Sequence, residues 1–390
     1  MTAVTYIVFL FAIIPFAYYL LAVLCAFRYF RAAKEQRAHL DFTPPISCLK
    51  PIKGLDVDAY ENYASFCRQD YPEYELIFCV DEDDPALPLL KKLIREFPER
   101  SIRLLYGSGR NAINDKVARL VRLVSEAKYD LLVITDGDIR VRHDYLRCVA
   151  APFRNPKVGG ATCLYVSTEE TTVVQEIQSA GMISDFFAAT MVARQLEGVK
   201  FMFGQTIAAT RKAIEGFGGY QLIENRPADD LWVGRLISDQ GYKVELIAEP
   251  VETVADFQSL SELLHKRVRW MTVMRMMRPW GHLGLILTWG LPWALLAVAV
   301  HPTAAVALGY LGAYVALRSA MAWVIGGGVR QRGLAKKIAL IPVWDALAFF
   351  IWLASFGRKT IRWRGVDYSL RDGKLVNATP AVPHPTALQR

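Results

Sequence analysis

The stretch "YDLLVITDGDIRVRHDYL", residues 129–146, poses the question on which the fold turns. Four apolar residues, Leu131 to Ile134, run through Thr135 into two aspartates one residue apart, Asp136 and Asp138. Asp-Gly is a favoured turn dipeptide, so one reading is a hairpin corner with its acids in water. The other is a metal site, since two carboxylates past a strand can hold Mg²⁺ or Mn²⁺ on a substrate's phosphates.

The surrounding chain decides between them. From about residue 40 to 260, short apolar runs alternate with helical patterns. The expected strands are "ISCLK" (46–50), "ELIFCV" (75–80), "IRLLY" (102–106), "LLVIT" (131–135) and "GGATCLY" (159–165). Between them, "ALPLLKKLIREF" and "NDKVARLVRLVSEA" place apolar residues at helical spacing with charges opposite. Such alternation predicts an α/β domain around a mainly parallel sheet, with ligands at the carboxyl ends of the strands. Asp136 and Asp138 end one strand, Asp81, Asp83 and Asp84 in "FCVDEDDPA" end another, and Lys50 and Lys53 in "CLKPIKG" end a third. Acids and lysines converging on one edge suit a metal–diphosphate ligand better than scattered turns do.

The ends of the chain point to a membrane. The composition is 53% hydrophobic with net charge +8, an unusual pairing for a soluble protein. Thr5 to Phe27 carries no charge and reaches the roughly 20 residues that cross a bilayer. The basic flank "RYFRAAKEQR" follows it, and no cleavage site does, so an anchor is expected with the next domain in the cytoplasm. Residues 283–300, 303–325 and 338–355 read as three further spans. The basic "GGGVRQRGLAKK" between the last two belongs in the cytoplasm. A full fourth crossing would put the basic "GRKTIRWRG" outside, so the last segment re-enters or the charge rule fails. Arg318 and Asp345 lie inside these segments and are expected to pair. The six cysteines lack C-x-x-C spacing and read as reduced and structural. The basic excess sits beside the membrane segments, where anionic lipid and diphosphate explain it better than nucleic acid.

Two further elements carry chemistry. "RPADDLWVGRLISDQGY" puts Asp229 and Asp230 at the start of an amphipathic helix, where acids are also ordinary first-turn residues. "LLHKRVRWMTVMRMMRPWG" is a basic, aromatic helix at the membrane surface that carries Arg269 beside Trp270. The expected organisation is an anchor and flank over 1–38, an α/β domain over 39–260 and an interfacial helix over 261–280. Membrane helices over 281–356 and a basic tail over 357–390, disordered at its end, complete it.

In this order the aspartates at 81–84, "DGD", "ADD" and "KRVRW" resemble the membrane-bound family 2 and family 21 glycosyltransferases. The closer likeness is to ceramide glucosyltransferases, carried by "LKPIKGLD", "QDYPEYE", "DDPA", "KYDLLVITDGDIRV", "ADDLWV" and "IRWRGVDYSLRDG". The resemblance implies a cytoplasmic, Rossmann-like GT-A domain with one N-terminal and about three C-terminal transmembrane helices, in a bacterial inner membrane. It implies inverting transfer of glucose from UDP-glucose to a membrane lipid, ceramide first, with Mg²⁺ or Mn²⁺ as cofactor. Asp84, with Asp81, Lys50 and Lys116, would contact the uridine, and Asp136 the ribose and sugar. Asp138 with Asp136 would hold the cation, Asp230 would be the general base, and Arg269 with Trp270 would close the leaving-group and acceptor side. Lys266 stands where the family has Gln, Arg or His, and would still offer the donor a cation. Asp138 matches bacterial relatives, some of which act on hopanoids, rather than eukaryotic ceramide enzymes. A hopanoid enzyme using UDP-N-acetylglucosamine is therefore the alternative, ahead of a polysaccharide synthase or a non-enzymatic sugar-nucleotide sensor. "SDFFAATMVARQLEGVKFMFGQ" (184–205) reads as core or as an acceptor groove, with Gly204 and Gln205 near the sugar.

Overall fold

The computed structural model describes residues 2–378 apart from Asn111, Ala255, Asp256, Lys359, Arg364, Gly365 and Asp372. The extreme tail expected to be disordered lies outside the described residues. Eight strands form one sheet: β1 Ile46–Pro51, β2 Tyr74–Val80, β3 Ser101–Tyr106, β4 Leu131–Ile134, β5 Ile139–Arg140, β6 Val158–Thr168, β7 Ile207–Thr210 and β8 Lys243–Val254. Their order is β3-β2-β1-β4-β7-β6-β8-β5. β3, β2, β1 and β4 run parallel, as do β6 and β8. β7 is antiparallel to both β4 and β6, which joins the two parallel groups. β5, β7 and β8 were not among the strands expected from the sequence. β7 and β5 are too short to show a pattern, and β8 carries charged residues along its length.

The apolar runs become strands because both faces of the sheet are covered. Leu132, Val133 and Ile134 are buried, and each such side chain contributes about 1.5–3 kcal/mol when removed from water. The helix Asp115–Glu126 covers one face with Val117, Leu120 and Leu123, and Asn114 Oδ1 caps it by accepting from the Val117 N–H. Chain order reverses about β1, since β2 and β3 lie on one side of it and β4 on the other. That reversal opens a crevice at the strands' carboxyl ends.

The helix Ala3–Gln36 continues past a bilayer's thickness into this domain. There the Tyr29 hydroxyl donates to the Ile247 carbonyl (2.7 Å), and Arg37 pairs with Glu249. Among the described residues, three helices are long and apolar enough to cross a membrane: Ala3–Gln36, Ala304–Gly328 and Leu334–Phe356. The segment expected as one span over 283–300 is instead a pair, Pro279–Leu287 and Gly290–Val300, bent by 51°. The expected pair of Arg318 and Asp345 is made, at 2.6 Å. All six cysteines are buried and free.

The tail is more structured than its composition suggests. It forms an antiparallel sheet of β9 Ile361–Trp363, β10 Val366–Arg371 and β11 Lys374–Asn377. The Leu375 N–H donates to the Asn225 carbonyl (2.7 Å), and Gly373 abuts Trp232, so the tail rests on the sheet domain. At the other end of Leu334–Phe356, Lys337 pairs with Glu176 (3.0 Å) and Glu170 (3.3 Å) of that domain. Midway, the Trp344 indole N–H donates to Asp185 (2.7 Å). Contacts at both ends and the middle thus fasten this helix and the tail to the sheet domain.

This arrangement has a direct test. Single cysteines at exposed Lys91, Arg332 and Asp367 should all react with a membrane-impermeant maleimide from the same side of sealed vesicles. Labelling of Asp367→Cys from the opposite side would show a full crossing. The buried native cysteines keep the background low.

Candidate active site

The crevice is lined by the ends of β1, β2 and β4. The Asp136–Gly137–Asp138 turn does not fold β4 back on itself. The chain leaves it as β5, which pairs with β8 through Ile139 and Thr253 at the far edge of the sheet. The hairpin reading therefore fails, and both carboxylates stay at the crevice. A Cβ on Gly137 would fall 2.5 Å from Asp56 Oδ2, so only glycine lets that third carboxylate lie across the turn.

Lys50 is buried beneath the turn rather than open to the crevice. Its ammonium donates to Thr135 Oγ1 (2.8 Å) and the Asp136 carbonyl (3.2 Å), and sits 3.7 Å from the centre of the Phe66 ring. Burial pulls its pKa down to about 7, against the opposing charges of Asp138, Asp136 and Asp56. Asp138 accepts a hydrogen bond from Thr253 Oγ1 (3.1 Å) on β8. Burial, then the neighbouring Asp136 and Asp56, push its pKa up to about 6.

Lys116 links the turn to the second acidic pair. It lies 2.7 Å from Asp136 Oδ1 and 3.4 Å from Asp229 Oδ2. Burial alone would lower its pKa, but Asp136, Asp229 and Asp230 together hold it well above the ordinary lysine value. Asp230 Oδ2 accepts from the Gly204 N–H (3.0 Å), and Oδ1 accepts from the Leu231 N–H (2.8 Å). Burial, then Asp229, raise its pKa to about 6, with Lys116 opposing. The helix bearing both acids, Asp229–Asp239, starts from Ala228 at φ 53°, a left-handed conformation that costs a non-glycine residue energy. Gly204 also lies close to the turn: a Cβ there would sit 2.9 Å from Asp136 Oδ2 and 3.2 Å from Lys116 Nζ.

The remaining expected residues divide by position. Asp84 spends both oxygens on backbone, accepting from Gly54 N (2.8 Å) and Ala86 N (2.9 Å), and so ties the loop after β1 to the loop after β2. Asp81 is more open and pairs with buried Arg119 (2.5 Å). On the helix Leu260–Met277, Lys266 is near enough for its charge to lower Asp138's pKa, and it lies over the Trp270 ring at 5.7 Å. Arg267 turns inward, donating to Gln178 Oε1 (3.1 Å) and packing on Trp270 (5.1 Å) and Trp344 (5.0 Å). Arg269 and Trp270 are half-buried on the same helix. Asp56, Asp229 as a partner of Lys116, Thr253 and Tyr165 were not assigned from the sequence. Asp56 sits inside the quoted "LKPIKGLD", but no spacing rule ties it to residue 137. Thr253 and Tyr165 lie within strands, where nothing local marks them.

A family model, glycosyl transferase family 21, matches residues 7–376. The chain belongs to that family. Among curated proteins, this family 21 chain is similar to ceramide glucosyltransferase 3 of Caenorhabditis elegans, at 27% identity over 60% of this chain and 52% of the relative. It is also similar to the ceramide glucosyltransferase of Komagataella phaffii, at 33% identity over 34% of this chain and 28% of that one. The chain thus spans about half the length of the first of these relatives, and less of the second. A mannosyltransferase from Pyrobaculum calidifontis, solved with GDP-mannose and Mn²⁺, shares the GT-A fold. Its TM-score is 0.51 at 18% identity, covering 88% of this chain and 99% of that one.

The acids fit a divalent cation. Asp138 and Asp136 share a turn with Asp56 across it, and the raised pKa of Asp138 reflects repulsion and burial that a bound cation would relieve. Among the described residues no three His, Cys, Asp or Glu side chains form a ready-made cage.

Gly204→Ala should push a methyl group into Asp136 and Lys116. The expected result is a loss of about tenfold or more in kcat/KM, with the melting temperature little changed. Full activity in that variant would remove Gly204 from the site.

Proposed function

We propose that this chain transfers glucose from UDP-glucose to the hydroxyl of a membrane lipid, ceramide, with inversion at the anomeric carbon. The observation that carries this is the single cluster in which Asp230, fastened by the Gly204 N–H, lies beside the Lys116–Asp136 pair in the crevice of a membrane-attached domain. The names of the curated relatives support the acceptor class. In this reading the sheet domain faces the cytoplasm of a bacterial cell and meets the inner membrane through Leu260–Met277.

The acceptor hydroxyl attacks the anomeric carbon and gives its proton to Asp230. The bond from that carbon to the diphosphate oxygen breaks, and UDP leaves with the electron pair. Asp136 and Asp138 would hold Mg²⁺ or Mn²⁺, which would supply positive charge to the departing diphosphate. Lys116 keeps Asp136 in place and adds a second positive charge beside the donor. Asp81 and Asp84 shape the uridine end, and Lys50 supports the Asp136–Asp138 turn from below. Lys266, Arg269 and Trp270 close the site on the leaving-group and acceptor side. One base and one direct displacement turn an α-linked donor into a β-glucoside.

Detergent-purified protein with Mg²⁺ or Mn²⁺ should move label from UDP-glucose into ceramide. Asp230→Asn should abolish the transfer, and a chelator should abolish it reversibly. Label entering only a hopanoid, or only from UDP-N-acetylglucosamine, would keep the mechanism and replace the substrate. UDP binding without transfer to any lipid would point to a sensor.

The pH profile follows from Asp230. Only its ionised form accepts a proton, and its pKa stands near 6 rather than at the usual carboxylate value. Log kcat/KM should be flat above about pH 6.5 and fall by about one per pH unit below about pH 6. A profile flat down to about pH 4.5 would show that the Asp230 carboxyl is not raised in the working enzyme, and would leave its role as base to the Asp230→Asn variant.

A further inference from the structure

Arg318 is the most heavily engaged side chain among the membrane helices, and the reaction described above does not use it. It is buried, and its guanidinium meets Asp345 through two nitrogens, at 2.6 and 3.2 Å. The Tyr314 hydroxyl donates to the same carboxylate (2.8 Å). A buried pair so completed is already satisfied, and nothing in its own chemistry calls for more partners. Yet Arg318 also leaves its helix to grip the sheet domain, donating to the Ser184 carbonyl (2.7 Å) and to Asp185 Oδ1 (2.6 Å). The second oxygen of Asp185 accepts from the Trp344 indole (2.7 Å).

Ser184 and Asp185 stand in a π-helical turn, Met182–Phe186, set between the helices Val173–Gly181 and Phe187–Glu197. A widened turn frees backbone carbonyls, and the Ser184 carbonyl is taken by Arg318. The next residue, Phe186, packs on Phe203 (4.9 Å) and Tyr165 (5.6 Å). Phe203 precedes Gly204, whose N–H holds Asp230, and Tyr165 lies within the fields of Asp230, Asp138 and Asp136. The other branch of the same node runs through Trp344 to Arg267 and on to Trp270. Two chains of contact, one through Phe186 and Phe203 to Gly204 and one through Trp344 and Arg267 to the KRVRW helix, therefore trace back to one guanidinium.

We infer that Arg318, with Asp345 and Asp185, is a positioning element for the lipid acceptor, holding Phe186 and Trp270 at the mouth of the site so that the acceptor hydroxyl reaches Asp230. The inference rests on the reading of this chain as a lipid glycosyltransferase. On the donor side, Asp81, Asp84, Lys50 and Lys116 are each held by bonds that do not run through this node. Loss of the node should therefore be felt by one substrate and not by the other.

The test uses the full-length protein in detergent or nanodiscs, with Arg318→Lys, Trp344→Phe and Asp185→Asn. Arg318→Lys removes the fork, Asp185→Asn the carboxylate charge at constant shape, and Trp344→Phe the indole donor together with part of the ring that packs on Arg267. The KM for ceramide should rise by about tenfold or more, whereas the KM for UDP-glucose and the Kd for UDP, measured by calorimetry, stay within about twofold of wild type. Should Arg318→Lys fail to fold, Trp344→Phe gives the same reading, since it removes one hydrogen bond and leaves the ion pair. Acceptor and donor constants both unchanged in folded variants would overturn the inference, as would an equal loss on both substrates. A wild-type protein that transfers to no lipid overturns the reading of the site and this inference with it.

Discussion

Everything at the crevice follows from placing several carboxylates closer together than they would choose. Two such groups about 4 Å apart at an effective dielectric of about 20 repel by about 4 kcal/mol, more than the net worth of most single hydrogen bonds. Asp136 and Asp138 share a turn, Asp56 leans across it, and Asp229 and Asp230 approach from a different helix. The fold answers with two lysines in different roles. Lys116 stands between the two acidic groups and joins them. Lys50 lies underneath, where it holds the turn by its backbone and by Thr135. What remains after both is a crowded carboxylate at Asp138, its pKa raised by burial and by Asp136 and Asp56, and in the proposed reading a bound cation would offset that crowding.

The same economy of charge governs the membrane half. Arg318 carries a full charge among apolar helices and is tolerated because Asp345 meets it squarely. Its further reach to Ser184 and Asp185 makes a local solution into a joint between the helices and the sheet domain. Together with Lys337 on Glu170 and Glu176, and Tyr29 on Ile247, this joint fixes the apolar helices against the sheet domain.

Much of this was legible in the residues alone, for identifiable reasons. Strands β1, β2 and β4 are buried on both faces, so they read as unbroken apolar runs bounded by polar residues, while β3 at the edge is half-exposed. Two of their crossovers, Leu87–Glu96 and Asp115–Glu126, are amphipathic helices with clear apolar faces. The acids stood out because they follow those runs directly. The Arg318–Asp345 pair could be anticipated because charge among apolar spans is rare enough to demand a partner. By contrast β7, four residues long, and β8, with charges along it, give no periodic signal. The break within 279–300 and the three-stranded tail sheet were equally silent, because each depends on contacts with distant residues such as Asn225 and Tyr19.

By itself the sequence determined the class of the domain, the edge on which its chemistry lies, and the attachment to a membrane. Those follow from local hydrophobic patterning and from where charges interrupt it. Only the tertiary structure decided that Lys50 lies beneath the Asp136–Asp138 turn, that Asp84 spends itself on backbone, and that Gly204 joins Asp230 to Asp136. It also decided that the tail returns to the domain. These are relations between residues from about 26 to about 150 positions apart, and no local pattern encodes a distance across that much chain. Which lysine faces the donor and which supports a turn is set by packing, and packing exists only once the chain has folded.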